Sequence, residues 1–342
     1  MKGGTTIISI SLLRVLAMIF IVFYHCICFY GIWHFDEAPR YEKIEAWRDA
    51  CNVALQLFMF ISGYLYATKL IKRKRYVSVQ GFLRGKVQRI LVPYIFWALL
   101  MIVVLQDPFI NILYGESHLW FLLTLFITFI VFTPPIYWIF CCKLKFWQDI
   151  SLLLSIFIIK ELANHLLPND VPNVLSFKQI LTYSPTFYWG IICVKHDLWD
   201  KVKKLNNAKY FIILCGALLL LIYFNSRQVL YLSSLYVWIP TYCILLFLLD
   251  LFQNRLSLRL QDGECRMLQT LDKNSLGIYI LHHCLIWVVL LYVPGVKTLM
   301  CRYQHVAPFI LFILVFMASF ALAYFMNNNH YTAQLIGLKR NK

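Results

Sequence analysis

The chain has 342 residues, of which 61% are hydrophobic, 17% aromatic and 14% charged, where an ordinary soluble domain is about a quarter charged. Sixteen acidic residues cannot coat a water-facing surface of this size, and apolar runs long enough to cross a bilayer recur from end to end. The formal net charge of +16 is spread through the short segments between those runs, which argues against a soluble nucleic-acid-binding domain and for a polytopic membrane protein.

In chain order, the apolar runs and their polar breaks predict ten helices, at about 7–32, 50–71, 90–105, 119–141, 150–167, 181–196, 210–224, 230–252, 274–293 and 307–325. The first contains Arg14 and lacks a small-residue cleavage site, so it reads as a span and not as a secretory signal. With the amino terminus in the cytoplasm, 23 of the 32 Lys and Arg residues fall on the cytoplasmic side. The positive-inside rule thus places both termini there. The expected class is all-α: one ten-helix transmembrane domain over 1–326 and a short cytoplasmic basic tail over 327–342. No internal repeat and no domain-sized insertion is visible. Most of the eleven cysteines lie inside apolar runs, without CxxC or zinc spacing, so neither a disulfide framework nor a metal site is expected.

Ionisable side chains in hydrocarbon cost a few kcal/mol each, so those that remain are functional candidates. Arg14 and His25 are eleven positions apart, which on a helix places them on one face about 16 Å apart along the axis. Arg14 alone could snorkel to the headgroups, but His25 in the outer half has no such exit. His118 opens the fourth helix in His118-Leu119-Trp120-Phe121, where it is either an interfacial residue or part of an outer cavity. Lys160, Glu161 and His165 end the fifth helix and can equally be a solvated terminus. His282 and His283 lie deeper, in the ninth. The segment from Lys69 to Arg89 carries eight bases, of which Arg84, Lys86 and Arg89 precede the third helix and suit an anionic, nucleotide-bearing cosubstrate or an anionic lipid surface.

These residues resemble the integral-membrane acyltransferase-3 family of bacterial cell-surface O-acyltransferases. Arg14 and His25 match its first-helix signature, a basic residue, ten intervening residues and a histidine. Leu57-Phe58-Met59-Phe60-Ile61-Ser62-Gly63-Tyr64 is similar to its Phe-x-x-Ser-Gly-aromatic stretch, and Phe82-Leu83-Arg84, Arg89-Ile90 and Pro93 to its basic approach to the third helix. His118-Leu119-Trp120-Phe121 and Ser275-Leu276-Gly277-Ile278-Tyr279-Ile280-Leu281-His282 resemble two further recurring segments. Among members, the chain resembles those acetylating enterobacterial common antigen and related polysaccharides, which are ten-helix proteins without a fused esterase-like domain. Position 283 departs from the pattern, being histidine where relatives often have proline, and loop 33–49 matches nothing in it.

The resemblance implies a multi-pass protein of the bacterial cytoplasmic membrane that transfers an acyl group from cytoplasmic acetyl-CoA to a hydroxyl of a cell-surface or lipid-linked saccharide. Arg14, Arg84, Lys86 and Arg89 would hold the anionic donor, and His25 would act as general base or form an acyl-histidine relay. His118, His282 and Glu161 are the remaining catalytic candidates, and no metal takes part. The partners expected are acetyl-CoA, the glycan acceptor and membrane lipid, with an oligomer compatible and no nucleic acid. The competing function is a transporter or flippase for a lipid-linked saccharide or acyl group, though the chain lacks the repeats such proteins often show.

Overall fold

The computed structural model describes residues 5–30, 44–72, 79–133, 143–168, 171–226, 233–251, 262–329 and 331–338. Among them the regular structure is helical, with no strand. In chain order the helices are α1 (Thr5–Ile27), α2 (Ile44–Ala67), α3 (Val79–Leu105, widened to a π segment at Val87–Leu91), α4 (Trp120–Val131) and α5 (Phe146–Leu166). They continue as α6 (Phe177–Lys195), α7 (Leu198–Lys203), α8 (Asn207–Ser226), α9 (Ser233–Asp250), α10 (Asp262–Tyr292), α11 (Val296–Arg302) and α12 (Ala307–Asn328).

A helix lies over each of the ten segments expected from hydropathy. Among the described residues, six stretches are long and apolar enough to cross a bilayer: Ile10–Tyr30, Val53–Ile71, Val79–Leu105, Asn111–Val131, Arg266–Tyr292 and Ala307–Asn328. The helices that start furthest ahead of expectation are α3, at Val79 rather than 90, and α10, at Asp262 rather than 274. Their opening residues include many polar and charged ones, so the apolar signal begins well inside helices that backbone hydrogen bonding had already started. The end of the fourth expected span (134–141), most of loop 33–49, and the basic residues Lys2, Arg73, Lys74, Arg75, Arg255, Arg259, Lys339, Arg340 and Lys342 lie outside the described residues.

Helices α5, α6, α2, α1, α10 and α12 form a continuous series of packed neighbours in that order. The closest crossing is α2 on α6. A Cβ on Gly63 would overlap the carbonyl oxygen of Phe187, and one on Gly190 would overlap that of Phe60. Two glycines therefore let two backbones touch, the way membrane helices gain dispersion energy without a hydrophobic drive between them. At the end of this pair Asp149, fully buried, accepts from Tyr188 Oη (2.6 Å) and His196 Nε2 (2.6 Å) and lies 2.7 Å from Lys195 Nζ. A carboxylate in that position is tolerable because both its oxygens are engaged by such partners.

The outer helices carry their apolar side chains outward. On α12 the stripe Pro308, Leu311, Val315, Ser319 and Ala323 is buried, while Phe309, Ile310, Ile313, Leu314, Met317 and Phe325 are exposed. Such a surface is stable against acyl chains and not against water. The all-α polytopic membrane bundle expected from composition is the observed architecture.

Candidate functional site

The site is built on the seam between α1 and α10. At one level Arg14 Nη2 donates to Asp272 Oδ2 at 2.6 Å, and Ser11 Oγ donates to the same oxygen at 2.7 Å. Further along the same seam, His282 Nε2 meets His25 Nδ1 at 3.0 Å. Both partners advance together, eleven positions on α1 and ten on α10, so the two helices run parallel. At about 1.5 Å per residue, an ion pair and an imidazole pair are separated by roughly 15–16 Å of helix.

Two more imidazoles join the second level. His118 and His283 stack with centroids 4.4 Å apart and planes 25° apart. The ring of His25 lies 6.1 Å from His118 and 5.2 Å from His283. His118 reaches this position because of the chain before it: Gly115 takes a φ of +92°, where a Cβ would crowd Trp120 and Ser176, and Ser117 takes +47°. The resulting 3-10 turn, Ser117–Leu119, carries the ring inward to α10. There His118 Nε2 lies 3.1 Å from the carbonyl oxygen of Tyr279 and 3.2 Å from that of Ile280, while Tyr279 Oη donates back to the carbonyl of His118. Ser117 Oγ lies 3.3 Å from His283 Nδ1. Among the described residues no cluster has metal-binding geometry.

A cavity of about 370 Å³ opens on the Arg14 level. Arg14, Lys69, Lys86, Arg89 and Lys273 bring five cationic side chains to its wall, with Asp272 as the acid. Lys86 Nζ sits 3.3 Å from the centroid of Phe129, a cation-π contact that orients a charge otherwise poorly solvated there. The Arg14 side chain is 32% exposed and that of Asp272 12%, so the guanidinium faces the cavity with its carboxylate behind it. Arg14 Nε and Asp272 Oδ1 are buried and have no hydrogen-bond partner among the described residues. At its deep end the wall includes Phe58, Phe121 and Tyr279, and the histidines stand beyond Tyr279. The Tyr279 ring centroid lies 5.4 Å from that of His118 and 5.8 Å from that of His282. The Tyr279 ring thus lines the cationic cavity and neighbours two of the imidazoles.

The carboxyl-terminal turn completes the cavity. Trp97 Nε1 donates to the carbonyl of Leu335 at 2.8 Å, and Ile336, Gly337 and Leu338 line the wall. Gly337 has a φ of +74°, and a Cβ there would press on Arg89 and Leu276.

Of the residues singled out in the sequence, the structure brings His25, His118 and His282 together and places Arg14, Lys86 and Arg89 on one cavity. Arg84 is exposed and does not line it. Glu161 is placed elsewhere, 3.2 Å from Lys160 on α5, a helix that packs on α6. His283, which the sequence leaves open because relatives often have proline there, belongs to the cluster. Asp272 was missed. Its signal was present, since Asp272 and His282 repeat on α10, at a spacing of ten, the charged-then-imidazole pattern of Arg14 and His25.

Compared with known proteins, residues 7–327 match the family model described as an acyltransferase domain, the third such family. No curated protein and no solved structure matches the chain.

Proposed function

The chain belongs to the acyltransferase-3 family and is a multi-pass membrane acyltransferase; from that premise we propose that it is an O-acetyltransferase of the bacterial cytoplasmic membrane. Its donor is cytoplasmic acetyl-CoA and its acceptor a hydroxyl of a cell-surface or lipid-linked saccharide. The observation that carries this reading is the two-level seam. A cationic cavity and an imidazole cluster lie along one pair of parallel helices, and the Tyr279 ring lines the first and neighbours the second.

The Arg14 level faces the cytoplasm in the ten-span topology, with both termini on that side. There Arg14, Lys69, Lys86, Arg89 and Lys273 receive the phosphates of the donor, Arg14 through guanidinium geometry that suits phosphate oxygens. The pantetheine arm, long and largely uncharged, passes along the apolar wall of Phe58, Leu65, Phe121 and Leu125 toward Tyr279. Displacing that ring brings the thioester to His25.

His25 then acts as general base. As the acceptor oxygen bonds to the thioester carbonyl carbon, its proton passes to the imidazole. The carbon–sulfur bond breaks, the proton returns to the leaving sulfur, and the products are an O-acetyl ester and coenzyme A thiol. Imidazole suits both transfers because its ordinary pKa lies near neutrality. Membranes supplied with labelled acetyl-CoA and the glycan acceptor test the reading: label should pass to saccharide with the wild type and not with His25→Ala. Transport of saccharide without transfer of label would replace it with a flippase.

A further inference from the structure

We infer that His282 is a positioning residue that fixes the tautomer of His25, leaving Nε2 of His25 as the single place where this imidazole pair takes up a proton. The inference rests on the reading of His25 as general base and deepens it.

The argument is one of hydrogen-bond capacity. His282 Nδ1 lies 3.1 Å from the carbonyl oxygen of Ile278. A carbonyl only accepts, so that nitrogen carries the hydrogen. In the neutral ring Nε2 of His282 is then a lone pair, and it points at His25 Nδ1, 3.0 Å away. His25 Nδ1 in turn lies 3.0 Å from the carbonyl of Ile21. Two acceptors converge on it, so it also carries the hydrogen, and the basic lone pair of His25 is on Nε2. A second proton on His282 would set two N–H groups head to head. The pair therefore gains one proton only, at the outer nitrogen of His25.

This assigns His282 a part resembling that of the acid in a serine-protease triad, played by a neutral ring. When His25 becomes imidazolium, its Nδ1–H donates to Ile21 and to His282 Nε2, and both acceptors strengthen the cation. The chain ends at the carbonyl of Ile278, which is not basic, so the proton stays on His25 until the leaving sulfur takes it. The titratable groups facing the pair are His283 and Tyr279 of α10, His118 of the turn before α4, and Tyr24 of α1. From α2, buried Cys51 neighbours Tyr279 and not the pair itself, and α12 presents Phe309 and Phe312 to neighbouring Phe23. His118 does not compete for the pair, since its Nε2–H is taken by the carbonyls of Tyr279 and Ile280.

The test combines spectroscopy with kinetics. In nitrogen-15 histidine NMR of the intact protein in lipid, the signals that vanish in His25→Ala should belong to a ring protonated at Nδ1. A neutral His25 protonated at Nε2 would overturn the inference whatever the variants do. In turnover, His282→Ala should lower kcat on the order of 10- to 100-fold with little change in KM for acetyl-CoA, since the His25 imidazolium keeps the Ile21 carbonyl but loses its second acceptor. It should also shift the acidic limb of the pH–rate profile to lower pH, because the His25 imidazolium loses an acceptor. His282→Gln, whose side-chain carbonyl can accept from Nδ1–H, should recover most of the rate and the limb. Wild-type kcat and profile in His282→Ala, with His25→Ala inactive, would remove the role of His282 alone. Full transfer by His25→Ala would remove the underlying reading instead.

Discussion

Arg14 and Asp272 form a pair whose value lies in presentation more than in stability, since a partly exposed ion pair contributes little to folding. Asp272, itself held by Ser11, fixes one end of the guanidinium, which lies on the wall of the cavity. Arg14→Lys keeps the charge and loses the fork, so KM for acetyl-CoA should rise about tenfold, the worth of one charge-assisted bond, while KM for the acceptor stays put. Asp272→Asn should act in the same direction more weakly, by letting the guanidinium swing. Steady-state kinetics in both substrates check the two variants, and an equal rise in both KM values would contradict the assignment. Arg14 and His25 were legible because both sit in one apolar run at same-face spacing. Asp272 was not, because the polar start of α10 hid that it belongs to a helix at all. The role of His283 stayed open in the sequence, since it stands where relatives often have proline. It reaches the cluster because His118 enters from a third element and stacks on it, a contact no local pattern encodes.

At the scale of elements, the Ser62-Gly63 motif was readable as a motif but not as a reason. Its reason is Gly190, on a helix distant in sequence, where two backbones meet. Gly63→Val should destabilise the protein by about 1–3 kcal/mol or more, since neither backbone can give way. Thermal unfolding in detergent would register this, and an unchanged midpoint would mean that α2 and α6 do not cross at that point. Tyr279 is the moving part the account requires. Tyr279→Ala removes the partition between cavity and imidazoles, so acetyl-CoA hydrolysis without acceptor should increase severalfold as water and thioester meet at His25. Tyr279→Trp should lower kcat by narrowing the passage. Hydrolysis by Tyr279→Ala at the wild-type rate would show that the ring is no barrier. The ten helical segments followed from hydropathy, whereas their packing order and the parallel run of α1 and α10 did not, because pairing depends on groups some 260 positions apart.

At the scale of the whole molecule, the proposed function needs the Arg14 level to face the cytoplasm, as the positive-inside reading of the sequence expects. The cationic cavity opens at that level, and the imidazole cluster lies about 16 Å further along α1. In the proposed reaction this arrangement lets a large anion and a polar saccharide react without either crossing the bilayer. Sealed inverted vesicles, with the cytoplasmic face outward and the glycan acceptor enclosed, measure that claim directly. Labelled acetyl-CoA added outside should place acetyl groups on the enclosed glycan, with wild type and not with His25→Ala, while coenzyme A appears outside. Label reaching the glycan only when the acceptor is added outside, or only after the vesicles are opened, would contradict a reaction carried across the membrane along α1.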